Sequence, residues 1–219
     1  MSTKQASKKK QQSNKGLLYW IVGGVVGLGL IVWLAVAIAG EPPVDEAVVY
    51  GEVTVEGEPL PFLPSGSADP AAGLTAPTVT GETLDGEKLT IGPGDTAKIV
   101  VMLAHWCPHC QREVPVIQDW VESGGLPEGV ELYGATVFTN RARDGDTWPP
   151  SEWLESEGWT IPTIKDDQQG RLVEAFGMRG TPTYVVLGPD NTNLVRISGE
   201  IGVEGLNALA STAVASLGG

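Results

Sequence analysis

The stretch Lys98–Pro115, KIVVMLAHWCPHCQREVP, holds both cysteines and both histidines of the 219-residue chain. Its first seven residues are apolar after the lysine and rich in β-branched side chains, which predicts a strand buried on both faces. From Cys110 onward apolar residues recur at helical spacing, and Gly124-Gly125 ends this pattern. The cysteine pair is therefore predicted to lie where a buried strand runs into a helix.

This junction favours redox chemistry at the cysteine pair. Unpaired N–H groups and the helix dipole stabilise a thiolate at the N-terminal edge, which makes Cys107 the expected nucleophile. Pro108 suits the first helical position because its missing N–H would have no partner there. We expect His109 to add charge or a hydrogen bond to the Cys107 sulfur. Cys110, one turn into the helix, is placed to resolve a mixed disulfide.

The surrounding pattern predicts an α/β domain. Two β-prone runs flank Asp85-Gly86 and predict a hairpin over residues 77–92. Strands and helices then alternate, and the chain closes with a late hairpin and a final helix over residues 203–217. This order predicts a central mixed β-sheet with helices on both faces.

These motifs together resemble the membrane-anchored thioredoxin-like proteins of the TlpA/ResA group, from Ala76 to Leu217. The matching features are Ala-Pro at 76–77, a Leu-Asp-Gly hairpin at 84–86, Trp-Cys-x-x-Cys at 106–110, Glu-x-Pro at 113–115 and a Thr-Pro segment at 176–186. The resemblance implies a thioredoxin-like fold and thiol-disulfide exchange with protein substrates.

The resemblance also implies roles for residues away from the cysteines. Pro182 would be the family's cis-proline facing the disulfide, Thr181 would offer its backbone to a substrate peptide, and Trp106 would join in substrate binding. Glu113 would assist proton transfer at Cys110; the alternative is an ordinary solvated helix glutamate. The Pro-His pair between the cysteines is similar to that of DsbA-type oxidants and departs from the dipeptides of thioredoxin and of many cytochrome-maturation reductases, which leaves the direction open. Stabilisation of the Cys107 thiolate by His109 and the helix terminus would raise the reduction potential, which favours an oxidant or isomerase over a reductase of the cytochrome c maturation type.

Other readings of the cysteine pair are less well supported. A structural metal site draws ligands from two separated segments, and no second Cys or His segment exists here, which also counts against a copper-binding or metallochaperone module. A purely structural disulfide ring of this size would stabilise the fold little. A peroxiredoxin would carry its cysteine in a Thr-containing, Pro-rich loop. No metal or cofactor is therefore expected, and His105 is interpreted as packed or solvated.

Two acidic pairs, Asp144/Asp146 and Asp166/Asp167, lie in predicted loops beside glycine. They lack the twelve-residue ligand spacing of a calcium loop, so they are interpreted as solvated turns.

The N-terminal region predicts a membrane anchor. Residues 1–16 are basic and residues 17–39 carry no charge, which is long enough for a membrane-spanning helix of about 35 Å. The positive-inside rule places the basic tail in the cytoplasm and the remainder outside it. The alternative is a signal peptide cleaved after Ala39. Gly23 and Gly27 form a GxxxG pair that could seat a partner helix.

The body beyond the anchor is acidic. Five of the 14 basic side chains precede Glu41, whereas all 27 acidic ones stand at or after it. This charge disfavours binding to nucleic acid. Residues 40–75, rich in Pro, Gly and Ala, are predicted to be an extracytoplasmic linker, followed by the thioredoxin-like domain over 76–219. The expected partners are protein thiols or disulfides and an unidentified membrane redox partner.

Overall fold

The computed structural model describes Tyr19, residues 24–26 and 28–29, 49–143 and 145–218. The chain divides into two units, Met1–Pro43 and Val44–Gly219. Described residues of the first unit are helical and exposed. No helix within the described part of the chain is both long and apolar enough to cross a membrane. The predicted tail, most of the predicted anchor with its GxxxG pair, and the start of the predicted linker lie outside the described residues.

The second unit has eight strands and four α-helices within the residues described. In chain order they are β1 (Val53–Glu56), β2 (Thr78–Glu82), β3 (Lys88–Ile91), β4 (Ala97–Leu103), α1 (Pro108–Glu122), β5 (Val130–Thr136), α2 (Pro150–Ser156), β6 (Thr163–Lys165), α3 (Arg171–Ala175), β7 (Thr183–Leu187), β8 (Asn193–Ser198) and α4 (Gly202–Ala215). Two short 3₁₀ turns follow β5 and α4, at Arg141–Arg143 and Ser216–Gly218.

The main sheet has the strand order β6-β5-β4-β7-β8. β4, β5 and β6 run parallel, whereas β7 is antiparallel to β4 and to β8. The predicted mixed sheet is therefore confirmed. Its central strand is β4, and all seven of its residues are buried, as its apolar sequence predicts.

Alternate residues of β4 point into two separate cores, because side chains alternate across a strand. Ile99, Val101 and Leu103 pack with α1, α2 and α4 on one face. Val100 and Met102 pack with α3 and a second, three-stranded sheet on the other. Helices thus lie on both faces, as predicted.

The second sheet has the order β1-β2-β3. Its β2–β3 hairpin is the one predicted around Asp85-Gly86, with Val79 opposite Ile91. It packs closely on the edge of the main sheet, since a Cβ at Gly81 would lie 2.3 Å from Cγ2 of Ile164. Only glycine allows this approach.

The linker predicted over residues 40–75 is corrected by the structure. Its described part, residues 49–75, contributes β1 to the second sheet and buries Leu60 and Ala71 in the core. Asp69 accepts hydrogen bonds from Arg196 of β8 at 3.0 and 2.5 Å. This segment belongs to the folded unit because its few apolar side chains and one carboxylate have partners there, which composition alone does not reveal.

Candidate active site

The cysteine motif lies where the sequence predicts it. β4 ends at Leu103, and Cys107 is the N-cap residue of α1, with extended backbone angles of φ −84° and ψ 116°. Pro108 is the first helical residue. The N–H groups of the first helical turn therefore point towards the Cys107 sulfur with no carbonyl of their own to bind.

The electrostatic setting of Cys107 favours its thiolate. Burial raises the pKa of the Cys107 thiol, but hydrogen bonds from the Thr181 side chain, from the backbone N–H groups of Cys110 and His109 and from the Cys110 thiol outweigh it, so the net pKa is lowered. In the protonated form the Cys107 thiol donates to the backbone oxygen of Thr181 at 3.3 Å, which opposes deprotonation. The donors that stabilise the thiolate have the larger effect, so the pKa of Cys107 is lowered overall.

Cys110 has the opposite setting. It has no exposed surface, and its sulfur accepts from the backbone N–H of Ala104 at 3.4 Å. Burial raises the pKa of the Cys110 thiol to about 12. Both cysteines are free thiols in this structure. One thiol is thus poised to attack, and the other stays protonated until a base or a disulfide partner engages it.

The Thr181-Pro182 segment faces the cysteines. The Thr181–Pro182 peptide bond is cis, and the backbone oxygen of Pro182 accepts from the N–H of Gly199 at 2.8 Å. Trp106 lies next to Cys107 in the chain, and its Nε1 donates to the backbone oxygen of Phe138 at 2.8 Å. The guanidinium of Arg143 covers its ring, 4.1 Å from the centroid. The structure therefore brings together Cys107, Trp106 and the Thr181-Pro182 segment, as the resemblance implies.

His109 differs from its expected position. Its side chain is exposed, and Nδ1 contacts Oε1 of Glu200 and, at 2.9 Å, Nη2 of Arg112. The hydrogen bond that His109 makes to the Cys107 sulfur comes from its backbone N–H. A hydrogen bond from His109 to the Cys107 sulfur is therefore present, but the backbone supplies it, and the imidazole contacts a carboxylate and a guanidinium instead.

Glu113 is buried, which rules out the alternative of a solvated helix residue. Its side chain lies in α1 one turn after Cys110 and only 3 % of the residue is exposed. Oε1 accepts three hydrogen bonds, from the Tyr184 hydroxyl at 2.9 Å and from the N–H groups of Ile201 and Gly202 at 3.0 Å. These last two belong to the N-terminus of α4, whose dipole also favours a negative charge.

The remaining candidates are His105 and the possible metal ligands. His105 is buried, and its ring lies 5.2 Å from that of Trp148 in an edge arrangement, so packing is the reading the structure supports. Within the described residues no group of three or more His, Cys, Asp and Glu side chains could hold a metal ion.

The two acidic pairs differ in their exposure to solvent. Asp146 is exposed, as a solvated turn should be, and Asp144 lies outside the described residues. Asp166 and Asp167 are only 4 % and 8 % exposed, so the solvated reading is wrong for them. They are buried because they follow the short strand β6 and accept the free N–H groups that open α3.

Three residues of this site carry no signal in the sequence that places them here: Tyr184, Glu200 and Arg112. Tyr184 sits within an apolar strand segment, and Glu200 in a glycine-bounded turn, far in the chain from the residues that they contact. Arg112 follows the motif but carries no signal that distinguishes it from a solvated helix residue. Only the fold shows that these side chains meet α1.

The fold and the cysteine pair at the start of α1 define a thioredoxin-like oxidoreductase. The chain belongs to the AhpC/TSA family, whose match spans residues 68–195. No curated protein gives a significant match to the sequence.

Solved structures support the fold. A DsbF homologue from Corynebacterium diphtheriae is 19% identical, covers 71% of this chain and 99% of its own, and has a TM-score of 0.56. A thioredoxin family thiol:disulfide interchange protein from Chlorobium tepidum TLS is 22% identical over 66% of this chain and 98% of that one, with a TM-score of 0.51. StoA from Bacillus subtilis is 19% identical over 64% and 98%, with a TM-score of 0.50.

Proposed function

We propose that this protein is an extracytoplasmic thiol-disulfide oxidoreductase that exchanges disulfides with protein substrates through Cys107 and Cys110. The observation that carries this proposal is the contrast between the two thiols. Hydrogen bonds lower the pKa of Cys107 at the mouth of the site, whereas burial raises the pKa of Cys110 to about 12. Such a pair has one attacking and one resolving sulfur.

The direction that we propose is that of an oxidant or isomerase. A substrate thiolate attacks the Cys107 sulfur of the disulfide form, and Cys110 leaves and takes up a proton. A second substrate thiolate then attacks the substrate sulfur of the mixed disulfide and releases the Cys107 thiolate. Two electrons pass to the protein. Every hydrogen bond that favours the Cys107 thiolate stabilises only the reduced protein and therefore raises the reduction potential.

A dedicated reductase is the second candidate, because of the contacts of His109. Glu200 lies against the imidazole and the Arg112 guanidinium, and its carboxylate offsets the positive charge that these groups could bring to Cys107. A weaker positive field stabilises the thiolate less and lowers the potential.

A glutathione redox titration of the full-length protein distinguishes the two directions. For an oxidant we expect a potential well above thioredoxin's, about −270 mV. His109→Pro removes the backbone N–H that binds Cys107 and should lower the potential, by about 30 mV for each pKa unit lost where the thiolate predominates at the pH of the titration. His109→Ala keeps that N–H and is the matched control, with a smaller change expected.

Three outcomes are informative. A wild-type potential near that of thioredoxin would favour the reductase. Equal potentials for His109→Pro and His109→Ala would show that the backbone N–H of residue 109 does not affect the reduction potential. A pair that exchanges with no peptide disulfide at all would overturn the proposed function.

The proposed setting is the outer face of the cell membrane. The basic residues 1–16 and the uncharged residues 17–39 support a single anchor with the folded unit outside. There the protein would meet folding substrates and a membrane redox partner that restores its disulfide. An oxidising compartment suits a pair that cycles in this way.

A further inference from the structure

A cavity of about 440 Å³ lies beside the redox site, at the carboxyl ends of β5 and β6. The parallel strands β4, β5 and β6 all end at the same edge of the sheet. Cys107 follows β4, Phe138 follows β5, and Asp166 and Asp167 follow β6. Ligands of open α/β sheets bind at this edge. The cavity and the nucleophile therefore share one side of the molecule.

Aromatic rings form one part of the cavity wall. Phe62 and Phe138 both line it and are 49% and 37% exposed, so two large apolar rings are open to solvent at the same place. Tyr50 also lines it and donates from its hydroxyl to the backbone oxygen of Thr139 at 2.8 Å. The faces of such rings attract cations. The guanidinium of Arg179, 4.3 Å from the centre of the Phe62 ring, shows this attraction within the chain and already covers one face of that ring.

Carboxylates form another part. Asp166 lines the cavity, and its Oδ1 accepts from the N–H groups of Asp167 and Leu172, both at 2.9 Å. Its Oδ2 is buried and makes no hydrogen bond to any described residue. Burial raises the pKa of Asp166 to about 6. A buried carboxylate oxygen with no partner is costly, and a cation held in the cavity close to Asp166 would offset part of that cost.

The net charge of the lining is negative. Asp167 is paired with Arg171 at 3.0 Å, whereas Asp166 and the exposed Glu174 form no ion pair with another described residue. The acidic body adds long-range attraction for a basic segment.

The cavity is connected to the nucleophile by two neighbouring residues. Phe138 lines the cavity, and its backbone oxygen accepts from Nε1 of Trp106. Trp106 precedes Cys107 directly. A peptide joined to Cys107 through its own cysteine would thus have residues close to the cavity mouth.

We propose that this cavity binds a lysine or arginine side chain of the protein substrate, close in sequence to the reactive cysteine. The inference rests on the proposed function and adds a substrate class to it. A cation would lie against the aromatic faces, pair with the exposed carboxylate of Glu174 and be attracted by the buried carboxylate of Asp166. A neutral or apolar side chain would gain neither interaction, and an acidic one would be repelled.

The test measures exchange between the reduced full-length protein, in detergent, and symmetric disulfides of short cysteine peptides. The peptides differ only in one residue, Lys, Gln or Glu, placed one to four positions on either side of the cysteine. Cys107 attacks one peptide sulfur and expels the first peptide thiol, and Cys110 then expels the second. We expect the Lys peptide to react about fivefold to tenfold faster than the Gln peptide at one or more spacings, and the Glu peptide slowest.

Variants assign any preference to the cavity. Asp166→Asn keeps the Oδ1 acceptor and should reduce the Lys preference to less than about twofold. Glu174→Gln and Phe62→Leu should each reduce it in part, and they serve if Asp166→Asn does not fold. Glu155→Gln is the matched control, because it removes one carboxylate from a different cavity beside α2. It should leave the preference unchanged.

The outcomes separate this inference from the proposed function. Equal, rapid exchange with all three peptides would overturn the basic subsite and leave thiol-disulfide exchange standing. A Lys preference that survives the cavity variants, or that falls equally in Glu155→Gln, would reflect the overall charge and also overturn the subsite. If the protein exchanged with none of the peptides and not with the small neutral bis(2-hydroxyethyl) disulfide either, the proposed function itself would be overturned.

Discussion

The sulfur of Cys107 lies 3.3 Å from the backbone oxygen of Thr181, a residue 74 positions further along the chain. The contact joins the start of α1 to the turn before β7. A substrate cysteine bonded to Cys107 would lie beside this backbone, which can pair with an extended peptide. Cys107 and the Thr181-Pro182 segment are thus held together by the fold itself.

The first prediction concerns the two thiols. In the reduced protein, iodoacetamide should label Cys107 well before Cys110 at pH 6 to 7, because the pKa of Cys107 is lowered and that of Cys110 is raised to about 12. Peptide mapping by mass spectrometry gives the order. Cys110→Ser should trap mixed disulfides through Cys107. Earlier labelling of Cys110 would reverse the assigned roles.

The second concerns the hydroxyl of Thr181. Its hydrogen bond helps to lower the pKa of Cys107, so Thr181→Val should raise that pKa and slow alkylation near pH 6 by roughly threefold to tenfold. Thr181→Ser keeps the hydroxyl and should restore most of the rate. The pH dependence of alkylation is the measurement; identical profiles for both variants would show that the hydroxyl has no part in it.

The third concerns Glu113. Glu113→Leu leaves three buried donors unpaired and should lower the free energy of unfolding by about 3 kcal/mol or more. Tyr184→Phe removes one donor and should cost about 1 kcal/mol. Urea unfolding measures both.

Glu113→Gln separates structure from chemistry. It keeps an acceptor oxygen, so the fold should be largely retained. If the carboxylate assists proton transfer at Cys110, resolution of a mixed disulfide should slow, while alkylation of Cys107 stays nearly unchanged. Slowing of both steps would point to a distorted helix instead.

The fourth concerns the ion pair between Asp69 and Arg196. Burial raises the pKa of Asp69, but hydrogen bonds from Arg196, Ala71 and Asn193 lower it by more. The stabilisation is therefore complete above the unfolded pKa of about 3.9 and is lost as the pH falls from there through the lower folded pKa. Asp69→Asn leaves the buried Arg196 uncompensated and should cost about 3 to 5 kcal/mol at pH 7. The pH dependence of urea unfolding should flatten below pH 4 in this variant.

The fifth concerns topology. Protease added to intact protoplasts should remove the folded unit if residues 17–39 form an uncleaved anchor with the N-terminus inside. Immunoblots against the two ends of the chain give the result. A soluble mature chain beginning at Gly40 would instead support cleavage after Ala39.

Local patterns predicted much of this site. Cys107, Pro108 and Cys110 lie at the junction of β4 and α1, because an apolar β-branched run and a helical repeat meet there. The Asp85-Gly86 hairpin is also a local feature of the chain. The cis bond before Pro182 was expected only because its segment resembles a family motif. The neighbouring residues do not distinguish it from other Thr-Pro pairs.

Long-range contacts were not predictable in the same way. For Glu113 the sequence left two readings, a residue that assists Cys110 and a solvated helix residue, until the fold brought two N–H groups at the start of α4 and the Tyr184 hydroxyl of β7 to its carboxylate. Asp166 and Asp167 read as a surface turn until α3 buries them. The sequence places His109 beside the Cys107 sulfur, but only the fold shows that its ring lies against Glu200, 91 residues away.

The amino-acid sequence by itself determined the order of strands and helices, the position of the two thiols at a helix start and the acidic character of the body, because these depend on neighbouring residues and on composition. The tertiary structure alone decided which carboxylates are buried, which groups surround His109 and that residues 49–75 pack into the fold. A side chain's burial and its hydrogen-bond partners depend on segments far away in the chain, and only the packed molecule brings those segments into contact.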